Sequence, residues 1–236
     1  MRHGWVAACA ALVMAACGGA GEPAEQTASR DRTSGSEERR ERDDGAQITG
    51  LMGTIPREAV EDALNPRMPR FMRCFEQRLG DVEFLAGDIR LAFRIHTDGT
   101  VAWVYPVETS VGDRQAERCV LDVARGTRFR RPSGGEAEFT WGFGFDAPDD
   151  VRPPLNWAAD ALGDRLRDVA EVARACSASG YSVTAYIEPG GRVLAAGGSA
   201  PSADAEPALD CILERVRAWS MPDPGSYAAK VTFPVQ

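Results

Sequence analysis

Lysine is almost missing from this chain: Lys230 is the single lysine among 27 Lys and Arg residues, and only 2 histidines occur in 236 residues. The preference for Arg, together with abundant Ala and Gly, reads as the composition bias of a GC-rich genome and carries no mechanism. Surplus positive charge is also missing. The net charge of -8 excludes a general nucleic-acid binder, because neutralising phosphates requires an excess of Lys and Arg on one face. No GxSxG, HExxH, CxxC or Walker-type loop is present. Once an N-terminal leader is removed, His96 is the only histidine, and it falls at a strand end beside a turn, where a solvated imidazole is expected. The chain therefore reads as a non-enzyme with no catalytic residue, no metal, no cofactor and no small-molecule ligand. Long hydrophobic runs are lacking too, since the stretch Trp5 to Ala16 is too short to span a bilayer.

That short run has the layout of a cleaved secretory signal: Arg2 is its positive start, and small residues precede Cys17. Val13 to Cys17, "VMAAC", resembles a bacterial lipobox, in which the cysteine thiol is lipidated and becomes the first mature residue. Met14 stands where Leu is usual. Gly18 follows in place of the Asp that retains many lipoproteins at the inner membrane, so the resemblance implies an outer-membrane anchor facing the periplasm. The expected organisation is a signal over 1–16, lipidated Cys17 and a disordered tether over 17–50, a first domain over 51–146, a linker over 147–156 and a second domain over 157–236.

The tether is Gly-, Ser- and charge-rich and cannot bury enough surface to fold. As a flexible coil it averages roughly 30 Å end to end and reaches about 100 Å when stretched. Its "EERRERDD" run is nearly neutral and reads as a solvated spacer. In "DAPDDVRPPLN", Asp146 to Asn156, three Asp residues suggest a calcium loop, but the ligand spacing and the obligatory Gly are absent.

Beyond the tether the periodicities alternate. Val60, Leu64, Met68, Phe71, Phe75 and Leu79 follow helical spacing, broken by Pro66 and Pro69. Ile89 to Ile95 and Val101 to Val107 alternate about an Asp98-Gly99 turn, Asp113 caps a helix through about Arg125, and Phe139, Trp141, Phe143 and Phe145 alternate in a third strand. The same order recurs: a helix over Leu162 to Cys176, strands from Tyr181 and Val193, a helix over Pro207 to Trp219, and a last strand to Val235. A shift of 92 residues superposes Gly99 on Gly191, Val101 on Val193, Cys119 on Cys211 and Pro132 on Pro224 without a gap.

With Cys9 lost and Cys17 lipidated, Cys74, Cys119, Cys176 and Cys211 remain, an even set that permits three pairings in an oxidising compartment. Neither metal-ligand spacing nor a redox CxxC is present, so the cysteines read as structural. The repetition favours Cys74 with Cys119 and Cys176 with Cys211. The fold class expected is α+β: two tandem αββαβ modules, each a three-stranded antiparallel sheet packed by two helices and stapled by one disulfide worth about 3 to 4 kcal/mol.

The stretch from "GTIPREAV" through "RFMRCFEQRL", "GDIRLAFRIHTDGTVAWVYPVE" and "ERCVLDVARGTRFRRPSGGEAEFTWGFGF" resembles the TonB/TolA-type C-terminal domain of myxobacterial envelope proteins, the AgmX/PglI C-terminal group. The marks are Cys74 with Phe75, Gly87, Asp98-Gly99 with Val101, Cys119, Phe129, Pro132 and Gly134-Gly135 before an aromatic strand. Residues 157–236 resemble a shortened second copy without the double glycine. The resemblance implies a non-catalytic periplasmic module that binds envelope proteins, in some members within transport or motility machinery. A membrane helix and a Pro-rich spacer, both features of TonB itself, are absent here. Two roles follow as expectations: a lipid-anchored adaptor, or alternatively a passive structural subunit of an outer-membrane assembly. Phe139, Thr140 and Trp141 are the candidate partner-binding strand, if that strand lies at a sheet edge open to β-augmentation. Arg128 and Arg130, in a basic cluster with Arg125 and Arg131, are the candidate contacts to an anionic partner, set against a merely solvated face.

Overall fold

Proline decides where the first helix breaks, because it lacks an amide hydrogen and its ring crowds the preceding turn. The computed structural model describes residues 47–49 and 53–236. Strand β1 (Gln47–Thr49) is followed by α1 (Arg57–Leu64), a 3-10 turn at Asn65–Arg67, and α2 (Met68–Glu76), with Pro66 and Pro69 at the joints. Then come β2 (Gly87–Ile95), β3 (Val101–Thr109), α3 (Arg114–Arg125) and β4 (Ala137–Phe145). The remainder is β5 (Leu155–Trp157), a 3-10 turn at Ala159–Leu162, α4 (Arg165–Ala175), β6 (Tyr181–Ile187), β7 (Val193–Ser199), α5 (Ala208–Arg217) and β8 (Ala229–Val235). The expected signal, the lipidated Cys17 and most of the expected tether lie outside the described residues.

The fold is α+β, with two sheets of strand order β1-β4-β2-β3 and β5-β8-β6-β7. In the first, Phe93 of β2 lies opposite Val104 of β3 and Phe139 of β4, antiparallel on both sides. In the second, Ala185 of β6 lies opposite Ala196 of β7 and Val231 of β8, again antiparallel. These partners differ by the same 92 positions that separate the paired residues Arg114 and Glu206. The hairpin turns also agree. A Cβ at Gly99 would sit 2.3 Å from the Phe129 carbonyl oxygen, and one at Gly191 2.1 Å from that of Met221; both residues have positive φ, so only glycine fits.

Three features depart from the sequence expectation. Each sheet has a fourth strand of three residues on its outer side, so neither is three-stranded. Gln47–Thr49, expected within the tether, pairs antiparallel with Glu138–Thr140. Leu155–Trp157, which begins in the expected linker, pairs parallel with Ala229–Val231. Strands this short have no periodicity to read; they exist because a sheet edge offers them hydrogen bonds.

The cores are not separate either. One cluster centres on Phe71, Phe75, Phe93, Phe139 and Trp141 yet includes Tyr186, Ala195 and Ala228, while Tyr105 packs against the other cluster around Leu209, Ile212 and Phe233. All described residues fall within one compact unit. Disulfides Cys74–Cys119 and Cys176–Cys211 tie α2 to α3 and the end of α4 to α5. A helix pair too short to stand alone is thereby fixed over each sheet.

Candidate partner-binding surfaces

Alternation along β4 sends Phe139 and Trp141 into the core, where they are 2% and 5% exposed. Phe71 packs on Trp141 and Phe143, and Phe75 stacks on Phe145 at 4.8 Å between ring centres. Neither Phe139 nor Trp141 offers its ring to a partner; what β4 can offer is backbone. Thr140, on the opposite face, has Gln47 as its neighbour across the outer ladder. From Trp141 to Phe145 no strand lies on that outer side among the described residues. Gly142 and Gly144 are exposed there, so the backbone is bare.

The outer side of β8 differs. Strand β5 covers Ala229–Val231, and the exposed Pro234 follows three positions on. Pro234 lies 92 positions after Gly142, and having no amide hydrogen it blunts the edge that Gly142 leaves open.

Arg128 and Arg130 lie on the segment after α3, either side of Phe129, which is buried in the core and donates its N–H to the Gly99 carbonyl at 2.9 Å. The anchor at Phe129 pushes both guanidinium groups outward. Phe129 touches Phe139 ring to ring at 5.4 Å, so the structure brings the arginine segment beside β4 through the core, with the arginines themselves exposed. Beside them, Asp98 accepts from the Thr100 hydroxyl at 2.6 Å and its N–H at 2.9 Å, which holds the carboxyl below the usual range. His96 is exposed, with Nδ1 2.6 Å from Glu136 Oε1, on the surface as its strand-end position implies.

Two shallow clefts, of about 330 and 420 Å³, flank Arg165 and Asp168 near the ends of α4 and α5; Met221 lines one and Trp219 the other. Arg165 donates to Ser220 O at 2.9 Å and to Asp168 at 2.6 Å. Leu166 beside them is 42% exposed.

The most heavily built polar cluster was missed by sequence reasoning: it is the seam between the two sheets. Asp113 caps α3 by accepting from the Ala116 N–H at 2.8 Å, and Arg78 pairs with its carboxylate at 3.0 Å. Arg114 reaches Glu206 at 2.7 Å and Asp210 at 3.0 Å, and Arg118 reaches Asp210 at 2.5 Å. Glu117 is fully buried, and burial pushes its carboxyl up to about 8. The Tyr186 hydroxyl donates to the Ala86 carbonyl at 3.0 Å and is pushed up to about 12 by burial. Lys230 donates to the same carbonyl at 2.7 Å, and burial pushes it down to about 8. Two signals marked this seam in the sequence. Glu117 stands on the apolar stripe of its helix, three and four positions before Val120 and Leu121, and Gly197-Gly198 interrupts a strand where a close approach is needed.

Among the described residues no group of three or more His, Cys, Asp and Glu side chains is arranged to hold a metal ion, and no helix is long and apolar enough to cross a membrane. Comparison of the chain with protein-family models, with curated proteins and with solved structures finds no match.

Proposed function

We propose that this chain is a lipid-anchored periplasmic adaptor of the outer membrane, non-catalytic, built from two copies of one αββαβ unit and capturing an envelope protein as an added strand on β4. The duplication is supported by the constant 92-residue offset in ladder partners, in turn glycines and in the second cysteine of each disulfide. The anchor rests on the "VMAAC" stretch and on the four remaining cysteines, which pair as oxidation in an exported protein requires.

The observation that carries the binding mode is the outer side of β4. Among the described residues the five from Trp141 to Phe145 have no strand partner there, next to a three-residue strand that already uses the same edge. Main-chain hydrogen bonds would supply affinity and Thr140, next along the strand, selectivity, with Arg128 and Arg130 as exposed cations for an anionic part of the partner. The second copy is closed to this mode by Pro234, so one of the two edges serves.

Substituting Gly142→Pro copies the β8 edge onto β4. Tagged wild type and G142P are purified in mild detergent from native membranes after brief crosslinking, and the adducts are compared by mass spectrometry. A discrete envelope protein captured by wild type and lost from folded G142P is the expected result. Equal capture by both would refute strand addition at β4. Incorporation of labelled fatty acid, abolished by Cys17→Ser, is the matching test of the anchor.

A further inference from the structure

Between the two sheets lies a carboxyl with no exposed surface and no direct ion pair among the described residues. Glu117 projects from the first turn of α3 toward β7, where the Gly198 N–H donates to Oε2 at 3.0 Å and the Thr109 hydroxyl to Oε1 at 3.3 Å. The space it fills is the space Gly197 leaves: a Cβ there would lie 2.4 Å from Oε1 and 2.7 Å from the Asp113 nitrogen.

The charges around it are paired with one another, except that Arg114 Nη1 is buried without a hydrogen-bond partner among the described residues. On the residues leading into α3, Asp113 is matched by Arg78. Arg114, the cation whose field favours ionised Glu117, is held by Glu206 and Asp210 at the start of α5. From β6 and β8, Tyr186 and Lys230 both point to the Ala86 carbonyl. An ionised Glu117 would thus sit beside the Asp113 carboxylate, its own counter-charge engaged elsewhere and water excluded.

We propose that Glu117 is a proton-sensitive clasp: as a neutral acid it holds β7 and the second sheet against α3, and on losing its proton it drives this seam open. Burial raises the carboxyl from 4.5 to about 8. Its contribution to closure is therefore complete below 4.5 and is lost as pH rises through about 8. Lys230 acts in the opposite sense and higher up. Depressed from 10.5 to about 8, its buried charge opposes closure below about 8 and is relieved above it, so it produces no loss between 4.5 and 8. Tyr186, at about 12, is silent throughout that interval.

Hydrogen exchange of the full chain tests this, read at the Gly197, Gly198 and Ser199 amides and corrected for the intrinsic pH dependence of exchange. Protection at the seam is expected to fall by up to about tenfold per pH unit across the interval, the slope of one released proton, while amides of Phe93 and Ala185 inside each sheet keep theirs. Glu117→Gln, neutral at every pH, is expected to flatten the slope. The same slope in E117Q, or loss of protection at seam and sheet interiors together, would overturn the clasp. Should E117Q not fold, the wild-type carboxyl is followed by ¹³C labelling of glutamate: a midpoint near 8 supports the proposal, and one near the ordinary 4.5 overturns it.

Discussion

The two sheets share one ladder register and differ in what they do with the face turned away from their helices. In the second sheet Thr184 and Tyr186 on that face are fully buried, packed against Gly112 and Phe84 of the first half. In the first, Arg94 occupies the position 92 residues before Tyr186, and its side chain remains 33% exposed beside Glu136 and Glu138. A tyrosine there can be sealed in because a single carbonyl satisfies its hydroxyl. An arginine cannot, since its guanidinium needs water or carboxylates. The same backbone thus yields one covered and one partly exposed sheet face, and the edges follow suit: among the described residues Gly142 leaves β4 without an outer strand where Pro234 blunts β8.

The cores offer the sharpest way to break this comparison. Phe139 and Val231 occupy matching places on β4 and β8, both buried. Phe139→Ala is expected to cost about 3–5 kcal/mol, and Val231→Ala roughly 2, measured by urea unfolding of each variant. Equal losses would mean that the aromatic first core and the small-residue second core share their load differently than burial implies.

The staples come next and should not distinguish the halves. Sequence separations of 45 and 35 residues differ too little to matter in chain-entropy terms, so removing either disulfide by paired Cys→Ala changes is expected to cost about 3–4 kcal/mol. A loss confined to one pair would show that the other contributes mainly native-state geometry.

Smaller effects lie at the seam. Arg114→Met leaves Glu206, only 12% exposed, without its partner, and is expected to cost about 1–3 kcal/mol. Arg118→Ala loses an ion pair whose members are 56% and 45% exposed and is expected to cost under about 1 kcal/mol. A double-mutant cycle with Asp210→Asn sharpens the contrast by isolating each coupling.

Much of this architecture is legible in the sequence where periodicity is strong. The proline break between α1 and α2, the Asp113 cap, the alternating strands and the disulfide pairing all follow from spacing and repetition. The short strands β1 and β5 do not, because three residues carry no pattern and their partners are distant in sequence. The open state of β4 was legible only in part. Its alternation put Phe139 and Trp141 on one face, but that this face is the core side, and that Gln47–Thr49 takes part of the edge, depended on where the chain returned. Burial of Glu117 escaped for a similar reason, since Gly197, which makes room for it, and Gly198, whose N–H donates to it from 81 residues away, are distant in sequence. The adaptor role depends on partners, and those are read neither from spacing nor from packing.

The most direct measurement places a photo-crosslinking amino acid at Thr140 and, in a separate chain, at Thr232, its counterpart on β8, and irradiates both in intact cells. Strand capture at the first sheet predicts a discrete envelope-protein adduct from position 140 and none from position 232. Adducts of equal yield from both positions, or from 232 alone, would contradict it.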